Sequence, residues 1–366
     1  AIACQRAEID AIVNNPAKPT FGNTIAALER SGELLGRIEG VFYNLLSADT
    51  SDEMQEIALR VQPKLTELSN DISLNPELFA RVKAVYEHPG CCLKKAYKSF
   101  ARNGAALSDA DKELYRQYTS ELSALTLQFG QNALAATNAF ALNITDPKQV
   151  AELPAFVKEG MAADAKARGE KGWTVTLQAP SYVPFVTYSS NRALKEKLWR
   201  AYNSRALGGQ YDNTEIVRKI ANTRLKIANL LGYKCYADYV LERRMAKDTP
   251  TVEAFLEELL AATKEHADRE CRTVSDYAAK LGFEGELMPW DWGYYSQKYR
   301  DAEYALNDEV VKPYFQLENV KKGVFLLANK LYGLNFTPNP EIDVYHPDVT
   351  AYDVTDEKGR FMAVLY

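Results

Sequence analysis

Side chains able to do chemistry are scarce in this chain, and histidine is the scarcest, with three in the whole sequence. His88 stands in "YEHPG", where Pro89 and Gly90 end a helix, so its setting is that of a C-terminal cap. His266 stands in "KEHADRE" with Glu270 one turn on. The two could share a metal ion, but an i,i+4 His–Glu contact on a polar helix face is ordinarily a solvated one. His346, in "VYHPDV", precedes a proline and an aspartate at the mouth of a terminal hairpin, and has the strongest claim to a functional neighbourhood. Five cysteines (Cys4, Cys91, Cys92, Cys235 and Cys271) show no metal-type spacing and no C-x-x-C. That pattern suits free thiols in a reducing compartment. A catalytic thiol needs a nearby histidine and an electropositive setting, and neither is visible.

The familiar catalytic signatures are missing. The sequence holds no H-E-x-x-H, no G-x-S-x-G, no Gly-rich phosphate loop and no EF-hand loop. Gly208-Gly209 alone is too weak for phosphate binding, and no nucleophile, base and orienting group can be assembled. No catalytic or metal-binding residue is therefore assigned. The unusual feature is "MPWDWGYYSQKYRDAEY", which crowds Trp290, Trp292, Tyr294, Tyr295, Tyr299 and Tyr304 together. Core packing at helical spacing accounts for Tyr295, Tyr299 and Ala302. The alternative is a cleft wall, since aromatic rings with polar tips suit peptide contacts. On that reading Trp290, Tyr294 and His346 are the candidate substrate-binding residues.

These residues must be positioned by helices. From Asn23, the residues Leu28, Leu35, Ile38, Phe42 and Leu45 recur at helical spacing. Thr50 and Glu53 form a capping box for the next helix, which carries Met54, Ile57, Val61, Leu65 and Leu68 and is expected to kink at Pro63. Ser108 and Asp111 flank a further start, and the stripe from Tyr115 to Phe140 predicts a helix over 109–142, about 50 Å long. Prolines punctuate residues 143–185, where a short helix fits around 154–167 and "WTVTL" at 173–177 alternates as a strand. Helices resume at 191–206 and 214–231. Thr249, with Pro250 at the first helical position, opens another to about 281. Val320, Val324, Leu327 and Leu331 share a face before a stop at Gly333. Residues 348–355 and 360–366 predict two strands joined by a turn at 356–359, with Gly359 supplying a positive φ. The resulting division is an N-terminal helical region 1–142, a crossing segment 143–185, a second helical region 186–340 and a hairpin region 341–366.

At 46% hydrophobic and 25% charged residues the composition is that of a soluble globular protein. A formal charge of −5 offers no general basic surface for nucleic acid or acidic lipid. No apolar run approaches the ~20 residues that span a bilayer. A monomer in the cytoplasm, or alternatively the periplasm, is expected. The chain opens as if inside a helix and ends in the apolar strand "MAVLY", so the polypeptide is expected to continue past Tyr366.

Long runs in consistent order resemble the M3 zinc oligopeptidases. They include "VPFVTYSSNRALKEKLWRAYNSRA", "DNTEIVRKIANTRLKIANLLGYKCYADYVLERRMAKDTPTVEAFLEELL" and "VYHPDVTAYDVTDEKGRFM". The earlier segments "NNPAKPTFGNTIAALERSGELLGRI", "LNPELFARVKAVY" and "QNALAATNAFAL" look most like the bacterial peptidyl-dipeptidase branch, rather than oligopeptidase A. The resemblance implies a mainly α, two-lobed, neurolysin-like multi-helix fold with a small hairpin or sheet near the C-terminal end. It also implies one zinc ion held by H-E-x-x-H and a further glutamate, with a tyrosine and a histidine stabilising the oxyanion, and short peptides as substrates. None of those positions has a counterpart here, so no zinc is expected on these 366 residues, which are expected to be inactive alone. Between "RVKAVYEHPG" and "CCLKKAYKSFARNG" the chain is shorter than the family's usual loop. The rival reading is a non-catalytic helical module that binds peptides or a partner. An in-frame H-E-x-x-H beyond Tyr366 would separate the two.

Overall fold

Helix α1 (Ile2–Val13) buries Ile9 and Ile12, which lie three apart on one face. They meet Ile25, Leu78, Val82 and Phe100 in a small N-terminal core. The structure is a computed structural model and describes residues 1–88, 94–304 and 311–366. It divides into two compact units, one of Ala1–Leu46 with Thr50–Tyr294 and one of Ser47–Asp49 with Tyr295–Tyr366. Cys91 and Cys92, with most of the abrupt junction after His88, lie outside the described residues.

The stripe expected to start at Asn23 is split. Thr20 and Asn23 cap each other reciprocally and open a turn at Phe21–Ile25 that runs into α2 (Ala26–Arg30). Gly32, at φ 76°, then bends the chain before α3 (Glu33–Ala48). Within α3 Leu35 is buried, whereas Ile38, one turn on, is left 50% exposed. In α4 (Asp52–Ser73) the cap is Ser51, not Thr50. Ser51 is the extended residue whose hydroxyl accepts from the Met54 N–H, at 3.2 Å, and the helix runs on through Pro63. Next come α5 (Pro76–Tyr86), capped by Asn75, and α6 (Lys94–Arg102). Arg81, 9% exposed, donates to the Asn15 carbonyl at 2.8 Å and to that of Ala17, tying down the loop after α1.

Helix α7 (Asp109–Ala139) starts as expected at Ser108, whose hydroxyl accepts from the Asp111 N–H. It stops earlier than its apolar stripe predicts. Phe140 turns extended, and β1 (Ala141–Ile144) pairs antiparallel with β2 (Trp173–Thr176), setting Leu142 opposite Val175. Between the strands lies α8 (Ala155–Ala167), and after them α9 (Ala179–Tyr188) and α10 (Arg192–Asn203). Leu142, Val157, Met161, Val175, Phe185 and Leu198 close together, so the proline-punctuated segment shares a core with β1 and α10. Helix α7 packs on α4 along a polar seam, where Asn70 meets Thr119 at 2.9 Å and Gln62 meets Ser123 at 3.0 Å. Asp71 there takes both Arg6 and Arg116. On another side α7 packs on α11 (Thr214–Leu230), burying Tyr115 and Ile227. The unit continues through α12 (Tyr236–Leu241), α13 (Thr249–Lys280) and the start of α14 (Pro289–Tyr304). The cap of α13 is Asp248, one place before the expected Thr249, because the Asp248 carboxylate accepts from the Thr251 N–H at 2.9 Å.

In the second unit α15 (Leu317–Tyr332) ends at Gly333, left-handed at φ 68°. A three-stranded antiparallel sheet follows, ordered β3 (Asn335–Pro338), β4 (Tyr352–Thr355) and β5 (Phe361–Leu365). The expected hairpin is its β4–β5 part, with Gly359 at φ 74° in the turn. Strand β3 adds the pairing of Phe336 with Val354. Helix α15 meets the sheet through Phe325, stacked on Phe336 at 4.3 Å and edge-on to Tyr352 at 5.1 Å. Val320, Val324, Leu327 and Leu331 share the predicted face yet remain 41% to 62% exposed, since that sheet contact is made by Phe325. The fold is thus mainly α with a small antiparallel sheet near the C-terminal end. Among the described residues no helix is long and apolar enough to cross a membrane.

Two residues of α9 test this packing. Phe185 is fully buried and Val183 is 52% exposed. Phe185→Ala should lower stability by about 3–5 kcal/mol through the cavity it leaves. Val183→Ala should stay within about 0.5 kcal/mol of the parent in the same urea titration.

Candidate functional site

The aromatic stretch does its packing at the start of α14. A helix start leaves backbone N–H groups without partners, and here Asp291 supplies one of the missing acceptors. Its carboxylate accepts from the Met288 N–H at 3.1 Å, while its own N–H donates to the Met288 carbonyl at 2.8 Å. At 1% exposure a bare carboxylate would be severely destabilising, so it requires a cation. Arg192, at the first turn of α10, provides one in a forked geometry: Nε lies 3.0 and 3.1 Å from the two oxygens and Nη2 lies 3.0 Å from Oδ2. This pair joins residues 99 positions apart in sequence.

Along α10 the residues Arg192, Lys195, Trp199 and Arg200 face the same helix start. Trp290, 6% exposed, meets Trp199 edge-on at 5.5 Å, and Arg200 lies over its ring at 5.0 Å while pairing with Glu196 at 2.8 Å. The Trp290 Nε1–H is buried with no hydrogen-bond partner among the described residues. One turn on, the half-buried Tyr294 presents its ring to the Lys195 ammonium at 4.4 Å. Gly293 precedes Tyr294 in the chain, and a side chain there would come into ordinary contact with the Val186 carbonyl of α9 at 3.7 Å. Lys195 is only 1% exposed. Burial pushes its ammonium down to about 8 from the ordinary 10.5; Asp291 opposes the fall, Arg192 adds to it, and Glu152 opposes it. A lysine near 8 inside an aromatic and basic cluster can donate or release a proton close to neutral pH.

Trp290 and Tyr294 are thus brought together on one helix face against α10. His346 belongs to the second unit, where its Nδ1 accepts from the Asp348 N–H at 3.2 Å and its side chain is 48% exposed. His266 bonds Arg269 at 2.9 Å on an exposed helix face, and the His88 N–H donates to the Val85 carbonyl after α5. Among the described residues no three His, Cys, Asp or Glu side chains come together to hold a metal ion. Arg192, Lys195 and Asp291 were invisible to motif reading. The signal available was the spacing Arg192, Lys195, Trp199 on an amphipathic helix, but cations on such a helix ordinarily face water.

Comparison with known proteins adds the relatives. The model of Peptidase family M3 matches residues 185–366. The chain is 35% identical to the dipeptidyl carboxypeptidase of Escherichia coli (strain K12), with 99% of the chain covering 55% of that protein. With the dipeptidyl carboxypeptidase of Salmonella typhimurium it is 34% identical over the same shares. It is 30% identical to oligopeptidase A of Escherichia coli, again over 99% of the chain and 55% of that protein. The chain therefore spans about half the length of the curated relatives it matches.

The depressed Lys195 has a measurable consequence. Below pH 8 the lysine is charged in both folded and unfolded chains, and the folded state bears the cost of burying it. As pH rises from about 8 toward 10.5 the folded form loses its proton first, so stability should increase, by on the order of 3 kcal/mol at most. Denaturant midpoints measured across that window should rise in the parent relative to Lys195→Met. Parallel profiles would show that the buried ammonium is not destabilised.

Proposed function

Because the chain belongs to peptidase family M3, we propose that it is part of a cytoplasmic zinc metallopeptidase that removes dipeptides from the C-termini of short peptides. One observation carries the dipeptidase reading. Identity to the two dipeptidyl carboxypeptidases is 35% and 34%, against 30% to Escherichia coli oligopeptidase A over the same share of the chain.

Zinc in such an enzyme polarises the scissile carbonyl and lowers the pKa of a bound water. The residues present do not fit that ion. The sequence has no H-E-x-x-H, His266 is engaged with Arg269, His346 with Asp348, and no metal-type cluster forms among the described residues. The reading therefore assigns the metal to residues outside these 366 and gives this chain the task of holding peptide. Tyr294 supports that role with a half-buried ring under the Lys195 ammonium. Trp290 would act from behind, fixing Trp199 and Arg200. His346, within its own unit, would offer an exposed imidazole.

After dialysis the isolated 366-residue chain should hold far less than one zinc per molecule and leave a short peptide with a free C-terminus uncut. Tight one-to-one zinc in metal analysis would place the ligands within it and overturn the assignment. The whole enzyme should lose cleavage on phenanthroline treatment, and unchanged turnover would count against metal chemistry altogether. There, Tyr294→Ala should raise KM severalfold with kcat near that of the parent, as expected for uniform binding.

A further inference from the structure

A cavity of ≈ 460 Å³ opens between α8, the end of β2 and α9, wholly within the first unit and separate from the Trp290 cluster. Its walls are mainly apolar, with Phe156, Met161 and Pro184 among them. Two opposite charges stand at its side. Asp164 on α8 and Arg168, the C-cap of that helix, are one helical turn apart, a spacing at which such side chains ordinarily close on each other. Here they are held apart. Ser181 donates to Asp164 Oδ2 at 3.0 Å while accepting from the Thr176 N–H at 3.1 Å, and Arg168 reaches the Asn138 carbonyl at 3.3 Å. That bond uses one of the five N–H donors of a guanidinium.

The backbone of the walls is shaped for space as well. Gly160 lies in the middle of α8, where glycine weakens a helix, and a Cβ built there would meet nothing within 4 Å. It lines the cavity and leaves room that any other residue would occupy. Pro184, also a wall residue, lies inside α9 and has no N–H to give the Pro180 carbonyl one turn back. Asp164 suits an ammonium, Arg168 suits a carboxylate, and the apolar walls suit a hydrocarbon side chain.

We propose that this cavity binds a small zwitterion with an apolar side chain, a free amino acid or a dipeptide, its ammonium at Asp164 and its carboxylate at Arg168. The site requires neither metal nor turnover, so it stands whether or not the peptidase reading does. The test is calorimetric titration of the full 366-residue chain with L-leucine, with L-alanyl-L-leucine, and with the same dipeptide acetylated or amidated. One of the two free zwitterions should bind saturably at millimolar concentration or tighter, and which one does identifies the source. Blocking either terminus, or introducing Asp164→Asn or Arg168→Gln, should weaken binding about tenfold, as loss of one charge-assisted contact does. Gly160→Leu should abolish binding while the thermal midpoint holds or rises, which separates occlusion from misfolding. Absence of saturation with both free zwitterions, equal binding of the blocked peptides, or full binding by folded Gly160→Leu would each overturn the proposal.

Discussion

A carboxylate removed from water must be neutralised and hydrogen-bonded, and Asp291 imposes that demand on the surrounding structure. At 1% exposure it takes a forked bond from Arg192 and a backbone bond from Met288. The first bond draws the start of α14 onto α10, and the second fixes where α14 begins. Trp290 and Tyr294 then have no freedom of placement. One ring is wedged against Trp199 and Arg200, the other lies under the Lys195 ammonium. The depressed lysine follows from the same crowding, since the helix that brings Asp291 a partner also carries a second cation out of water.

Elsewhere in the first unit the helices are held by two kinds of contact. Between α4 and α7 the seam is polar, with Asn70, Thr119, Gln62 and Ser123 bonding across it. Directional bonds of that kind specify register more than they add stability. Around β1, β2, α8 and α9 the contact is apolar and close, centred on Phe185 and Val175, both fully buried. Asp164 and Arg168 ride on that core. There Asp164 is held by Ser181 and Arg168 by the Asn138 carbonyl, each bonded to a different neighbour.

In the second unit the same physics produces a different outcome. Phe325 packs on Phe336 and Tyr352, while four aliphatic residues of α15 turn away from that contact. Amphipathic spacing states which residues share a face. It does not state which face the neighbouring element covers.

Much was legible in the residues themselves. Ser108 as a cap, the short helix expected around 154–167 and found at Ala155–Ala167, the strand expected at 173–177 and found at Trp173–Thr176, the left-handed stop at Gly333, the positive-φ turn at Gly359 and the mainly α class all follow from local preferences that need no distant partner. The family likeness was also legible, because long ordered runs carry it. Tertiary structure alone decided that α7 ends at Ala139, where the chain turns extended and Leu142 pairs opposite Val175. It chose Ser51 over Thr50 and Asp248 over Thr249 as caps, where neighbouring residues were equally able to serve. It also brought Arg192 to Asp291 across 99 residues and buried Lys195. Those contacts escape a linear reading because burial of a charge depends on the partner that arrives from elsewhere in the chain, and spacing along one helix is silent about that partner.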